Sequence, residues 1–147
     1  MKKPSRQREK LMRIVLDTNV LISGVFFGGN PGKILDLWQE KIFELISSPS
    51  ILNEYEEVLN RLQAKSKKSD PELVQTTMKL ITLESIVINP SHDLHLSRDP
   101  DDDKFINCAL SGSAFFIVSG DSDLLELEKV EGVQIVTARE FLARMSI

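Results

Sequence analysis

The chain has 147 residues, 41% apolar and 27% charged, which suits one soluble globular domain with a buried core. A net charge of −4 excludes a globally basic nucleic-acid binder, and a single cysteine, Cys108, excludes both an internal disulfide and a zinc site built from cysteines. No apolar run is long enough to span a bilayer, and the basic start lacks the apolar stretch of a secretion signal, so a cytoplasmic protein is expected.

Lys2, Lys3, Arg6, Arg8, Lys10 and Arg13 crowd the start against Glu9 alone, and residues 1–12 read as a solvated, disordered basic extension. "RIVLD" reads as the first strand. "NPGKILDLWQEK" predicts a helix opened by Asn30 and Pro31. "FELIS" is a second strand. "SPSILNEYEEVLNRL" predicts a helix capped by Ser48 with Pro49 at its first position. The polar "AKSKKSD" is a loop whose Lys65, Lys67 and Lys68 form, with Arg61, a second basic cluster. "DPELVQTTMKLITL" predicts a helix, "SIVIN" a strand, and "DPDDDKFINCAL" a helix opened by Asp-Pro. "AFFIVS" is a strand, "DSDLLEL" a short helix, "VQIV" a strand, and "TAREFLARM" a closing helix. Five strands alternating with helices imply an α/β sandwich with a mostly parallel sheet. Right-handed crossovers place every strand's carboxyl end on one edge, where open α/β sheets bind ligands.

Acids collect at that edge. Asp17 ends the first strand, Glu54 lies on the helix after the second, Asp99 to Asp103 open the helix after the third, and Asp121 and Asp123 follow the fourth. Each Asp alone reads most simply as a helix cap, because aspartate satisfies the orphan amides of a helix start. Their convergence is another matter. Two carboxylates about 5 Å apart repel by roughly 3 kcal/mol at an effective dielectric near 20. Acids gathered with no neutralising lysine call for protonation or cations. Magnesium accepts a few carboxylates and keeps open positions for phosphate oxygens, which points to phosphodiester chemistry.

In this order, "IVLDTNVLIS", "SPSILNEYEEVL", "DPDDDKFINCA" and "VSGDSDLL" resemble the PIN domain family, nearest to the PIN-family toxin components of prokaryotic toxin–antitoxin systems. The resemblance runs from about Arg13 to Arg139 and makes residues 13–147 a PIN-like nuclease domain. It implies a three-layer α/β sandwich around a five-stranded, mostly parallel sheet. It also implies a divalent-metal-dependent endoribonuclease that uses metal-activated water, with Mg2+ or Mn2+ as cofactor. An antitoxin partner and a homodimer are implied by the resemblance alone. By position, its acids are Asp17, Glu54, Asp102 and Asp121, with Asp123 assisting. Asp17, Asp102, Asp121 and Asp123 are the expected metal ligands, and Glu54 is expected to bind through water or to orient it. Thr18 and Asn19 match the polar residues that support the first acid, Asn19 by hydrogen-bonding a carboxylate. Helix geometry gives a second argument for Asp102. Phe105, Ile106, Cys108, Ala109 and Leu110 form an apolar stripe, Asp102 projects along its middle, and Asp101 and Asp103 fall on flanks that reach water.

Other readings carry less. A haloacid-dehalogenase-type phosphatase needs an acid where Asn19 stands, and a receiver domain needs a lysine that "VQIVTARE" lacks. A PIN-like module that binds RNA or protein without cutting is the alternative function. A metal-free ribonuclease needs histidine as acid or base, and His92 and His95 read as solvated loop residues. "FFGGNPGK" fails as a phosphate loop at Phe27 and Ile34. Phe26 and Phe27 remain open to a loop at the site's mouth, a dimer contact or core packing. Trp38 reads as a core or interface residue and Cys108 as an inert core thiol.

Overall fold

The computed structural model describes residues 11–65 and 70–145, so the basic extension up to residue 10, and Lys67 and Lys68 of the second cluster, lie outside the described residues. The strands are β1 (Arg13–Leu16), β2 (Glu44–Ser47), β3 (Ile86–Val87), β4 (Phe116–Val118), β5 (Lys129–Val130) and β6 (Val133–Val136). The helices are α1 (Thr18–Phe26), α2 (Gly29–Gln39), α3 (Pro49–Lys65), α4 (Pro71–Glu84), α5 (Asp103–Ser111), α6 (Ser122–Leu125) and α7 (Ala138–Met145), with a 3-10 turn over Pro100–Asp102 leading into α5. Together they form a three-layer α/β sandwich.

The sheet order is β3-β2-β1-β4-β6-β5. Every pairing is parallel except β5 with β6. Ile14, Val15 and Leu16 of β1 are all fully buried, which is why this strand reads as an unbroken apolar run: helices cover both faces of the sheet. Among the described residues the sheet has six strands, where the sequence predicted five. The extra one, β5, belongs to a two-residue hairpin whose turn residues, Glu131 and Gly132, both take positive φ. Two residues of strand are too short to show an alternating pattern.

From β1 the chain moves outward to β2 and β3, then returns to lay β4 on the other side of β1. That reversal opens a crevice past the carboxyl ends of β1 and β4, the position where such sheets hold ligands. The Asp17 amide donates to the Val118 carbonyl at 2.9 Å and keeps the two strand ends together. Behind them the core is closed by Phe141, whose ring stands edge-on to Phe43 and Phe116 with centroids 5.6 Å away in each case. Trp38 and Cys108 are core residues, as the sequence suggested, and burial pushes the Cys108 thiol up to about 12.

Two local features bear on the site. α1 and α2 approach closely at Gly24, where a Cβ would sit 2.9 Å from the Pro31 carbonyl. Phe27, between those helices, is 83% exposed, while Phe26 packs beside Ile22, Leu59 and Val74. The chain between β3 and the 3-10 turn has no regular structure and is strapped along α5. Ser111 accepts the Ser91 amide at 2.9 Å, Asn107 bonds both the amide and the carbonyl of Leu94, and Asp103 accepts the amides of Leu96 and Ser97 at 3.0 and 2.8 Å. These three side chains recur every fourth residue, one face of the helix.

Candidate metal centre

Asp17 follows the last residue of β1 and caps α1, so its plain reading and its sharper one hold together. One carboxylate oxygen accepts the Asn19 amide at 3.3 Å, and the other accepts the Ser119 hydroxyl at 2.5 Å. Ser119 is fully buried at the end of β4, and its oxygen in turn accepts the Asp121 amide at 2.9 Å. One hydroxyl thus ties the acid after β1 to the acid after β4. Sequence reasoning missed Ser119, since a serine closing a strand carries no signal of its own. Asn19 itself is exposed and reaches Asp17 through its backbone, not through its side-chain amide as expected.

Glu54 owes its place to Tyr55, which is fully buried and donates its hydroxyl to the Leu16 carbonyl at 2.5 Å, pinning α3 to the end of β1. Burial pushes the Tyr55 phenol well above its ordinary range. One Glu54 oxygen accepts the Thr18 hydroxyl, so Thr18 supports Glu54 and not Asp17. The other lies 2.5 Å from the Lys104 ammonium. The expectation of acids without a neutralising lysine is therefore corrected: Lys104, fifty residues away along the chain, folds onto Glu54.

Among the run of aspartates, Asp99 caps the 3-10 turn by accepting the Asp101 amide at 3.0 Å, and Asp101 is exposed. Asp102 is buried on the inner face, and Asp103, expected to reach water, is buried as well. The reason is twofold. The Pro100–Asp102 turn is 3-10, which advances each residue further round the axis than an α-helix does, and the strap covers the flank where Asp103 emerges.

Asp102, Asp121 and Asp123 each offer a carboxylate oxygen, and these atoms lie within 4.8 Å of one another. The Oδ2 atom of Asp102 is buried with no hydrogen-bond partner. Burial, then Asp121 through its charge and a side-chain hydrogen bond, push Asp102 up to about 7, with the charges of Asp17 and Asp99 adding to the shift. Asp17 is also raised, chiefly by burial and then by the charges of Asp121 and Glu54, against the lowering effect of its bonds from Ser119 and Asn19. Asp123 is bridged by Arg98 at 3.3 Å, which also holds Glu126. A buried acid with an oxygen that lacks a donor, grouped with two further carboxylates, is a donor set that a hard cation would satisfy. The donor set is all carboxylate oxygen, the kind of donor that hard divalent cations take.

The histidines stand apart from these acids. His92 is bonded to Ser111, and His95, 77% exposed, lies 3.8 Å from Asp93 and Asp103. No helix of the described residues is long and apolar enough to cross a membrane.

Known proteins are similar to this chain in sequence or in fold. A protein of Methanocaldococcus jannaschii, itself uncharacterised, is 36% identical to this chain over 89% of its length and 90% of that protein's. VapBC2 from Rickettsia felis, solved bound to a DNA fragment from its promoter, superposes with a TM-score of 0.56 at 15% identity, covering 84% of this chain and 97% of that one. FitAcB from Neisseria gonorrhoeae superposes with a TM-score of 0.50 at 12% identity, covering 86% of this chain and 98% of that one. At those identities the two structures speak for the fold. Residues 13–123, which hold every acid of the group, match the PIN domain, a family generally composed of nucleases, and the chain belongs to it.

Proposed function

We propose that the protein is a divalent-metal-dependent endoribonuclease that hydrolyses RNA phosphodiester bonds and serves as the toxin of a type II toxin–antitoxin pair. The observation that carries the chemistry is the grouping of Asp102, Asp121 and Asp123 within 4.8 Å, with an oxygen of Asp102 buried and without a hydrogen-bond partner. Membership in the PIN family supports nuclease activity, and the resemblance of "IVLDTNVLIS" and "GDSDLL" to PIN toxin components supports the toxin role, with an antitoxin as partner.

Asp102, Asp121 and Asp123 would hold the cation. Asp17, whose two oxygens keep lone pairs beyond the bonds from Ser119 and Asn19, would join them. Bound Mg2+ or Mn2+ supplies Lewis-acid charge at the phosphate and lowers the pKa of water toward neutrality. The protein's own contribution is placement. Ser119 fixes the rotamer of Asp17 and the backbone of Asp121 in one stroke. Glu54, held by Thr18 and Lys104, stands beside Asp17 as the acceptor able to orient a water.

The test is cleavage of mixed RNA and DNA substrates, with and without chelator, by the wild-type protein and Asp17→Asn. The expected result is cleavage of RNA that needs both the metal and Asp17. Folded protein inactive on every substrate and metal would replace this reading with a binding module.

A further inference from the structure

The acid group has a charge problem on its substrate side. Asp17, Glu54, Asp102, Asp121 and Asp123 gather at the crevice, and an RNA strand brings further negative charge. Among the described residues, the lysine and arginine side chains paired with these acids are Lys104, through Glu54, and Arg98, through Asp123. They differ in kind. Arg98 is 68% exposed and shared between two carboxylates, the pattern of a surface ion pair. Lys104 is 19% exposed, lies 2.5 Å from Glu54 Oε1 and 2.7 Å from the Asp101 carbonyl, and has its ammonium 5.4 Å from the centre of the buried Phe105 ring.

We infer that Lys104 binds a backbone phosphate of the RNA strand at the mouth of the acid group, an assignment that rests on the ribonuclease reading. An ammonium carries three N–H donors, and the bonds to Glu54 and Asp101 account for two. Beyond the face of the Phe105 ring, the third meets no oxygen acceptor among the described residues. Glu54 is itself held on its other oxygen by Thr18, so the carboxylate that holds the ammonium is anchored in turn. The pair lies outside the Asp102–Asp121–Asp123 group, so Lys104 leaves the cation's position free while adding positive charge next to it. A strand laid across the crevice would thus meet a fixed N–H donor beside the acids, and no other paired cation there is so constrained.

The test reads salt dependence, because each phosphate contact to a single strand contributes about 0.7 to the slope of log affinity against log salt. Binding of a short single-stranded RNA is measured at fixed magnesium across potassium chloride, in an Asp17→Asn background to block cleavage. Lys104→Gln and Lys104→Met, the latter keeping the stem over Phe105, should each lower the slope by about 0.7, and Lys104→Arg should restore it. Lys41→Gln, the same charge change in the turn before β2 at the far edge of the sheet, should leave it as it was. A slope unchanged by folded Lys104→Gln and Lys104→Met overturns the assignment, even where the wild-type protein cleaves RNA. RNA that neither binds nor is cleaved overturns the ribonuclease reading and this one with it.

Discussion

Asp102 and its neighbours separate cleanly at the level of single side chains. Asp102→Asn should lower metal-dependent cleavage by orders of magnitude, while exposed Asp101→Asn should cost little, both read as kcat/KM on one RNA. Asp102 also sets a pH dependence with a definite sign. With a folded value of about 7 against an ordinary value of about 4, the folded protein binds the extra proton between them. Metal-free stability contributed by this group is therefore full below about pH 4 and is lost as pH rises toward about 7. Denaturant melts of the apo protein should show that decline, and Asp102→Asn should flatten it relative to wild type. Metal affinity should move the other way, tightening through about pH 7 as the proton stops competing. A second residue-scale expectation follows from the histidines lying on the strap. With no imidazole at the acids to activate the RNA's own 2′-hydroxyl, the products should carry 5′-phosphate and 3′-hydroxyl ends; 2′,3′-cyclic phosphates in end-group analysis would exclude water as nucleophile.

Among the elements, α5 bears two loads on different faces: it carries Asp102 at its start toward the crevice, and it grips the strap with Asp103, Asn107 and Ser111. Asn107→Ala leaves both polar groups of Leu94 without their partners, and Asp103→Ala strands the Leu96 and Ser97 amides. Each should cost roughly 1–3 kcal/mol in chemical melts, the aspartate toward the upper end because it accepts as a charged group. Amide exchange at Leu94 and Leu96 should rise in step, and protection that stays at wild-type level would mean that the strap is held by something else. The same helix shows what was legible in the sequence and what was not. Asp102's inward face could be read from the apolar stripe at Phe105, Ile106 and Ala109, since that spacing is set by helix geometry. Asp103's burial could not, because it depends on a 3-10 turn and on a strap from a distant stretch. Lys104 was likewise hidden: a lysine among aspartates reads as solvated until α3 brings Glu54 beside it. The ends of β1 and β4 were legible, since acids that follow buried apolar runs can be placed by topology, whereas the two-residue β5 left no period to read.

Across the whole molecule, the acid group draws on residues 17, 54, 102, 121 and 123, so a cation there would clasp segments that are far apart along the chain. Millimolar magnesium or manganese should raise the melting temperature, by the amount that saturation of a folded-state site gives, about 2.7 kcal/mol at a hundredfold excess over Kd. Asp102→Asn should lose most of that rise and Asp17→Asn part of it; a calorimetric trace indifferent to both metals would count against a preformed site. The family match ends at residue 123, on the last acid of the group, yet the sheet does not end there. β6 pairs with β4 at Ile117↔Ile135, and Phe141 of α7 closes over Phe43 and Phe116. A fragment cut after the matched segment would keep every catalytic candidate and still expose the open edge of β4 beside an uncovered aromatic pair, the combination that recruits other chains edge to edge. β6 and α7, which carry none of the group's acids, thus cover the edge and the rings through which such a fragment would join its copies.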